Sequence, residues 1–318
     1  MGKVNLKKGL GPKSLSGLFS PRTGRQPAAQ GGQARGMVVF PKEVMYIYLL
    51  EAAGENTLFE ESRMKLKVLG CSGATFPKHH PPGFLLDDRI LFDAGSLTDV
   101  LHEEAQMKVR HIFITHAHLD HILGIPFLAD NVLNGKKAHS VKVFGIPTVL
   151  KALRRNLLNS SIWPDFTVIP HSERPVLSLN ALRIQTPVRV NGYRVTPYRV
   201  AHSVPAVGYL VEDKRNRSFF YTGDTGPTGP TWRRIGQLKI HGLIIEVSLP
   251  NSMGEMALKT GHLTPRLLRE ELLKMKEMPE RIYVTHPKPQ YFKTIKSELQ
   301  GLHLSRLCML RDGQTLRI

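Results

Sequence analysis

Three histidines and one aspartate lie close together in the segment THAHLDH, residues 115–121, directly after the apolar run HIFI. Imidazole and carboxylate groups are the usual protein ligands of zinc and neighbouring transition metals. In an extended segment His116 and His118 point the same way, whereas Asp120 and His121 follow where the chain turns and can face a second point. The spacing therefore predicts one loop that supplies ligands to two adjacent metal ions. A polar loop after a strand is the simpler interpretation of any single histidine.

A site for two metal ions needs more donors than one loop provides, and later strand ends supply them. His202 follows the predicted strand YRV, Asp224 lies in the turn TGDTG, and His286 follows the strand IYVT. Each residue taken alone suits a structural role, since Gly-Asp-Thr-Gly is ordinary turn chemistry. Together with THAHLDH, these donors are expected to converge on one edge of a sheet.

Length, charge and cysteine content narrow the class of protein. The chain has 318 residues, a formal net charge of +18 and only Cys71 and Cys308 as cysteines. This length allows one large domain or two smaller ones with a sizeable core. Two cysteines cannot form a disulfide framework, which predicts a cytoplasmic location. No apolar run reaches the roughly 18 residues of a membrane span, and the positive charge favours anionic partners.

Residues 1–63 differ in composition from the rest of the chain. The first 36 residues hold seven Lys or Arg and no Asp or Glu. They also lack an apolar period, which predicts disorder. A short helix is the preferred interpretation of residues 42–53. The region is a poor secretory signal, because the preceding basic stretch is too long and the apolar stretch is interrupted. Residues 64–318 are predicted to form the folded domain, and their 35 basic and 21 acidic residues leave a formal charge of +14.

Strand-like and helical patterns alternate in this domain. KLKVLG is predicted to be the first strand, FLLDDRILFD a hairpin turning at Asp87-Asp88, and VRHIFIT the buried strand before the His-rich loop. Helices are predicted over SLTDVLHEEAQM, with Ser96 as a cap, and over HILGIPFLADNVLNG, with a break at Pro126. Short strands, including TVIP, dominate the middle of the chain. This order predicts an α/β or α+β layered protein whose strand ends carry the polar residues.

The donor pattern of residues 64–318 resembles the metallo-β-lactamase superfamily, whose H-x-H-x-D-H core is specific for that superfamily and says little about the substrate. The resemblance implies an αββα sandwich with a dinuclear metal site at one sheet edge. It also implies two divalent metal ions, zinc in the first place, with manganese and iron as alternatives. Seven residues match its ligand positions: His116, His118 and His202 for the first metal, Asp120, His121 and His286 for the second, and Asp224 as the bridge.

A narrower resemblance concerns the substrate. HAHLDH, with Leu at its fourth position and Gly124 soon after it, is similar to class II 3′,5′-cyclic-nucleotide phosphodiesterases, and GHLTP at residues 261–265 is similar to a second stretch of that class. Pro126 and Asp130 depart from the class pattern, which affects the substrate and not the metals. The expected function is hydrolysis of cAMP or cGMP to the 5′-monophosphate. GHLTP and THPKPQY also resemble tRNA 3′-processing nucleases, which makes an RNA-cleaving enzyme the alternative.

The resemblance suggests a mechanism built on a hydroxide held between two metal ions about 3.5–4 Å apart. His262 is the predicted general acid for the leaving 3′ oxygen, because imidazole titrates near neutrality. Glu246, at a strand end, either holds His262 protonated or is a solvated carboxylate. Asp120 is the third residue expected to act in catalysis. His79 and His80 either border the pocket or are ordinary polar loop residues.

Several alternatives remain open at the level of partners and activity. The expected partner is a small anionic nucleotide, with RNA in the alternative reading and no membrane in either. A nuclease for tRNA is expected to carry a Gly/Pro-rich arm, which residues 64–318 do not show in their composition. Other hydrolases of the same fold and a non-catalytic binding module are the remaining classes. The resemblance also implies a homodimer.

Overall fold

Two seven-stranded sheets form the centre of the protein, whose structure is a computed structural model that describes residues 63–135 and 139–318. The strands, in chain order, are β1 Lys65–Gly70, β2 Gly83–Leu86, β3 Ile90–Phe92, β4 His111–Phe113, β5 Val141–Gly145, β6 Leu177–Ala181, β7 Val188–Val190, β8 Tyr193–Arg199, β9 Val207–Glu212, β10 Ser218–Tyr221, β11 Gly242–Glu246, β12 Arg281–Thr285, β13 Leu307–Met309 and β14 Thr315–Arg317. The first sheet has the order β14-β1-β2-β3-β4-β5-β6, and the second has the order β13-β12-β11-β10-β9-β8-β7.

Helices accompany both sheets. They are α1 Leu97–Val100, α2 Glu103–Gln106, α3 Leu119–Ile122, α4 Gly124–Asn134, α5 Pro147–Asn156, α6 Gly229–Ile235, α7 Gly254–Thr260, α8 Pro265–Leu272 and α9 Phe292–Gln300. Helices α1 to α5 occur among the strands of the first sheet and share one apolar core with them. Helices α6 to α9 pack on the second sheet through a separate core that includes Trp232, Leu268 and Ile295. These layers confirm the predicted αββα sandwich.

Aromatic side chains fill the space between the two sheets. Phe92 of the first sheet lies 5.7 Å from Phe219 and 5.9 Å from Tyr209 of the second, measured between ring centroids. Phe84 and Tyr221 make a further pair at 4.8 Å. All five rings are essentially inaccessible to solvent. Large buried rings contribute much apolar area each, so this interface fixes the distance at which the edges of the two sheets face each other.

Strand direction determines where the donor residues lie. Strands β3 to β6 are parallel in the first sheet, and β10 to β13 are parallel in the second. Strand β8 runs in the direction of β10, because both are antiparallel to β9. The carboxyl ends of β3 and β4, and those of β8, β10, β11 and β12, therefore each gather at one edge of their own sheet.

Three local predictions from the sequence are wrong in detail. The helix expected to break at Pro126 continues through it. Pro126 is the third residue of α4, and a backbone N–H in the first turn has no partner within the helix, so the missing N–H of proline breaks no hydrogen bond. The expected helix after Ser96 is two short helices, and the Ser96 side chain makes no capping hydrogen bond. TVIP, residues 167–170, is irregular chain and not a strand.

The hairpin turn and the terminal segment have different outcomes. Asp87 and Asp88 have φ of 47° and 57°, as the predicted tight turn between β2 and β3 requires. The predicted disorder of the N-terminal segment and the helix at 42–53 fall on residues 1–62, outside the described part, and stay predictions. Within the described residues, no helix has the length and apolar character to cross a membrane.

Candidate metal centre

Seven side chains meet at the edge where the strand ends of both sheets converge. These side chains form two groups of possible ligands, and within each group the donor atoms lie within 4.8 Å of one another. The first group comprises His116, His118, His202 and Asp224, and the second comprises Asp120, His121 and His286. The structure thus brings together all seven residues that the sequence predicted as ligands. Asp224 also belongs to a third group with His262 and His286.

The His-rich loop between β4 and α3 is held by a buried carboxylate that the sequence did not single out. Asp93, directly after β3, accepts hydrogen bonds from the Thr115 amide and hydroxyl, both at 2.8 Å. It also bonds to His121 Nδ1 at 2.7 Å and accepts from the Tyr221 hydroxyl at 2.7 Å. With Nδ1 engaged, His121 has Nε2 free to face the other donors. The sequence offered one signal for this role, namely that Asp93 directly follows the strand next to the one that precedes the His-rich loop.

Asp224 lies between the two groups of donors. Its carboxylate oxygens are 3.7 Å from His116 Nε2, 3.4 Å from His121 Nε2 and 3.4 Å from His286 Nε2. The turn that presents Asp224 needs the preceding glycine, because Gly223 has φ of +59° and a Cβ there would lie 2.7 Å from Thr115. This close approach lets one carboxylate reach histidines from both sheets.

Unpaired buried atoms show that the donors suit a cation. His116 Nε2, His121 Nε2 and one Asp224 oxygen are buried without a hydrogen-bond partner among the described residues. A buried polar atom without a partner costs about 1–3 kcal/mol, and all three atoms belong to side chains of the donor groups. Nitrogen and carboxylate oxygen donors are the set that zinc and similar divalent metals take. The residues present therefore fit a metal-binding centre.

The donors from the second sheet are oriented through their other ring nitrogen. His202 Nδ1 lies 2.8 Å from the carbonyl oxygen of Gly261, which leaves Nε2 to face His118 Nδ1 at 3.2 Å. His286 Nδ1 lies 2.8 Å from the Ser248 hydroxyl, and its Nε2 faces the Asp120 carboxylate at 3.4 Å. Such partners on the far nitrogen fix the ring orientation of metal-binding histidines in proteins.

Burial and neighbouring charges shift the pKa values of the cluster in different directions. Burial lowers the pKa of His116 well below its ordinary value, and the neighbouring histidines reinforce that effect. Burial raises the pKa of Asp224 and Asp120, but surrounding histidines outweigh it, so both pKa values lie below the usual range. For His121, burial lowers the pKa, but Asp224 and Asp93 outweigh that effect and leave the pKa well above its ordinary value. Ionised carboxylates and a neutral His116 imidazole are ready to ligate a cation, whereas His121 must release a proton when it does so.

His262 and Glu246 form a pair beside the cluster. Glu246 is fully buried and lies 2.7 Å from His262 Nδ1, which rules out a solvated carboxylate. It also accepts hydrogen bonds from the Thr225 amide at 3.1 Å and the Ser248 hydroxyl at 2.8 Å. Burial lowers the pKa of His262, but the charge and hydrogen bond of Glu246 and the charge of Asp224 leave it above its ordinary value.

The position of His262 allows two chemical uses. A donor atom of His262 lies within 4.8 Å of donors from Asp224 and His286, so it also belongs to a third possible ligand group. Its ring stacks on that of His286 with centroids 5.7 Å apart. Because Glu246 engages Nδ1, Nε2 is the nitrogen left for a proton transfer. Ser248, which contacts Glu246, His262 and His286, was missed by the sequence reasoning.

The two remaining histidines singled out in the sequence lie on the β1–β2 loop, outside the donor groups. His80 pairs with Asp312, with its Nδ1 2.9 Å from the carboxylate. His79 Nδ1 lies 3.3 Å from the Ser72 hydroxyl. Asp312 also accepts the Cys71 amide at 3.1 Å, so it anchors this loop to the end of the chain. Their contacts agree with the structural interpretation of both histidines.

Comparison with known proteins gives the family. Residues 88–286, more than half of the chain, match the family model described as “Beta-lactamase superfamily domain”. The chain belongs to that superfamily, and it has the metallo-β-lactamase fold with a His and Asp cluster able to bind metal.

The relatives found carry two kinds of name. A Yersinia pestis protein named “Probable 3′,5′-cyclic-nucleotide phosphodiesterase” is 26% identical over 226 residues, which cover 61% of this chain and 63% of that protein. Ribonuclease Z of Pyrococcus horikoshii is 30% identical over 190 residues, which cover 55% of this chain and 59% of that protein. The matched region therefore spans roughly three fifths of either relative.

A solved structure supports the same fold. Unliganded yeast PDE1 superposes with a TM-score of 0.69 at 20% sequence identity, and the match covers 80% of this chain and 99% of that one. At this identity the likeness shows the αββα fold. The relatives named phosphodiesterase confirm the resemblance that the sequence suggested.

Proposed function

We propose that this chain is a metal-dependent phosphodiesterase that hydrolyses 3′,5′-cyclic nucleotides to 5′-monophosphates. The observation that carries the proposal is the His262–Glu246 pair, a buried carboxylate 2.7 Å from an imidazole beside a cluster of metal ligands. Ring opening of a cyclic phosphate expels a sugar oxygen, which leaves readily only when it receives a proton. An imidazole kept protonated beside the site is suited to that step.

Two divalent metal ions are part of the proposal. We assign His116, His118, His202, Asp120, His121 and His286 as terminal ligands and Asp224 as the ligand shared by both ions. When bound, such ions supply Lewis acidity that activates water and offsets charge on a phosphodiester. The all His and Asp donor set, without sulfur, supports zinc and leaves manganese and iron as alternatives.

The protein's own residues then divide the remaining work. Glu246 holds the His262 ring by its Nδ1, so that Nε2 carries the proton toward the leaving 3′ oxygen. Asp120, whose side chain is 31% exposed, is the most accessible carboxylate in the cluster and borders the space where the phosphate enters. Lys288 donates from Nζ to the Gly73 carbonyl oxygen at 3.2 Å and brings a positive charge near His262. That charge favours an anionic substrate.

The absence of a long projecting arm favours a small substrate. In residues 63–135 and 139–318, the longest interval between helices and strands is 157–176. That interval is tied to the body through buried Leu158, Phe166 and Val176. A mononucleotide needs only the pocket at the metal centre, whereas RNA contacts many phosphates.

An RNA-cleaving nuclease is the second candidate. It is supported by the relatives named ribonuclease Z and by the formal charge of +14 on residues 64–318, which hold 35 basic and 21 acidic residues. The same ligands and the same His262 would serve that reaction. A cytoplasmic location and a homodimer also remain proposals, motivated by the two-cysteine composition and by the family resemblance respectively.

A substrate panel tests the proposal. The purified holoenzyme is incubated with cAMP, cGMP, a 2′,3′-cyclic nucleotide and a precursor tRNA, and products are resolved by chromatography. We expect 5′-monophosphate from cAMP or cGMP and no specific cut in the tRNA. Efficient tRNA cleavage with both cyclic nucleotides untouched would replace the first candidate with the second. The His262→Ala variant serves as the control for contaminating activity.

A further inference from the structure

A cleft with an unusual concentration of arginine lies on the second sheet, outside the donor cluster. Its volume is about 620 Å³, and its walls include Arg199 at the end of β8 and Arg233 and Arg234 on α6. Gln185 and Thr231 add polar groups to the same lining. No acidic side chain lines the cleft.

The three guanidinium groups lack acidic partners within the described residues. None of them is in an ion pair with a carboxylate there, and all three arginines are exposed. The charge of Glu212 reaches Tyr198 in the cleft wall, but that carboxylate is bound by Arg194, with Nε to Oε2 at 2.8 Å. Glu271, which accepts from the Thr228 amide and Trp232 Nε1 of α6, is paired with Lys274. Among the described residues, the cleft therefore concentrates positive charge with no carboxylate paired to it.

A second basic cleft shows that this arrangement is specific. Lys151, Arg154 and Arg155 line a cleft of about 560 Å³ beside α5. Asp165 also lines that cleft and pairs with Arg154 at 3.6 Å. The two clefts thus have the same number of basic residues and similar volumes. They differ in the presence of a carboxylate.

The arginine cleft is close to the metal centre along the chain. Arg199 precedes His202 by three residues, and a chain of that length spans at most about 11 Å. The main chain between them is fixed, since the Gly226 amide donates to the Ala201 carbonyl at 2.6 Å and the Thr231 hydroxyl donates to the Arg199 carbonyl. A phosphate in the cleft would therefore be held at a fixed place near the donor cluster.

We propose that the cleft formed by Arg199, Arg233 and Arg234 is a second anion site, separate from the metal centre, that binds phosphate groups. Guanidinium is the side-chain group best matched to phosphate, because its planar fork donates two hydrogen bonds at once. Three like charges in one cleft repel one another, and a bound anion relieves that repulsion. The phosphates come either from a nucleic acid strand that extends past the metal centre or from a free nucleotide.

Charge-matched variants test the site in the metal-loaded full chain. R199Q/R233Q/R234Q removes three charges from the arginine cleft, and K151Q/R154Q/R155Q removes three charges from the control cleft. Metal content and unfolding temperature are measured first, with R233Q/R234Q held in reserve as the milder change on an exposed helix face. Binding is then followed with a fluorescent, non-cleavable ten-nucleotide strand by anisotropy, and with 5′-AMP and inorganic phosphate by calorimetry.

The expected results separate the two sources of phosphate. If a strand is the ligand, the arginine variant loses about tenfold or more in strand affinity, and its salt slope falls by up to about 2, since each single-strand phosphate contact contributes about 0.7. If a free nucleotide is the ligand, the arginine variant loses one of the binding events for 5′-AMP or phosphate seen in the unaltered protein. In both cases the control variant binds as the unaltered protein does. Equal losses in both variants, or no loss for any probe, would overturn the proposal.

Discussion

Two buried carboxylates, Asp93 and Glu246, organise opposite sides of the metal centre. Asp93 lies at the end of β3 in the first sheet and bonds to the loop that carries four of the seven donors. Glu246 lies at the end of β11 in the second sheet and bonds to His262, which is placed beside the donors. Both carboxylates are fully buried, and each has four hydrogen-bond partners on the protein.

The difference between them lies in what each partner does. Asp93 fixes Thr115 and His121, so it sets where ligands stand relative to one another. Glu246 holds His262 by Nδ1, beside the donors of Asp224 and His286. A similar buried carboxylate thus holds candidate metal ligands on one side and, on the other, the histidine that we propose as a proton donor. Substitutions on the two sides should therefore separate metal content from turnover.

The largest effect is expected for Asp224, which belongs to neither side. Asp224→Ala removes the carboxylate that contacts His116, His121 and His286. Two bound metal ions would then repel each other without the negative charge that lies between them. We expect bound metal to fall to one ion or none per chain and turnover to be abolished. Metal content by mass spectrometry and turnover of bis(p-nitrophenyl) phosphate measure this. Two retained metals with an unchanged rate would contradict a shared ligand.

His262→Ala is expected to act on turnover alone. Loss of a general acid lowers the rate by about 10²–10⁴-fold, and the seven ligands remain. The loss should shrink for a substrate with a p-nitrophenolate leaving group, because that group leaves without a proton. Rates on cAMP and on the chromogenic diester are compared at equal metal content. A drop in metal content would instead assign His262 as a ligand.

Asp93→Asn is expected to act on metal binding. The amide keeps the shape of the side chain but cannot accept all four hydrogen bonds, so His121 and the His-rich loop lose their fixed positions. Loss of such a supporting partner lowers metal affinity by about 10–100-fold. Competition with a chelator measures the affinity, and turnover at saturating metal should recover most of its rate. Failure to recover with metal fully bound would place Asp93 in the chemistry itself.

Glu246→Gln is expected to lower turnover and to leave metal binding unchanged. The amide still fits between Ser248 and His262, but it removes the negative charge that favours the protonated imidazole. We expect metal affinity close to that of the unaltered protein and a loss of turnover smaller than that of His262→Ala. Turnover should rise toward lower pH, where His262 is protonated without help. If competition with a chelator shows that Glu246→Gln binds metal as weakly as Asp93→Asn, the two carboxylates do not differ in role.

The smallest effect is expected for deletion of residues 1–63. Both carboxylates and all seven donors lie in residues 64–318, and the first 36 residues lack an apolar pattern of their own. A chain that begins at Met64 should unfold cooperatively and keep the metal content and turnover of the full chain. Thermal unfolding followed by circular dichroism tests this prediction. Loss of a cooperative transition would show that the segment contributes to the folded domain.

The sequence by itself predicted the seven candidate ligands and the layered fold. THAHLDH is readable because its donors are contiguous and its spacing has a chemical reason, and His202, Asp224 and His286 are readable because each follows a strand pattern. The layered sandwich follows from the order of those patterns and from the family resemblance.

Only the tertiary structure decided which other residues support the site. Asp93 and Ser248 lack a motif of their own. Their roles arise because parallel strands that are distant in the sequence end at the same edge of a sheet. The arginine cleft likewise joins β8 to α6, which are 30 residues apart at their nearest ends, Arg199 and Gly229. Local pattern specifies which residue types follow a strand, whereas side-chain partners depend on which strands become neighbours, and that is set by packing of the whole core.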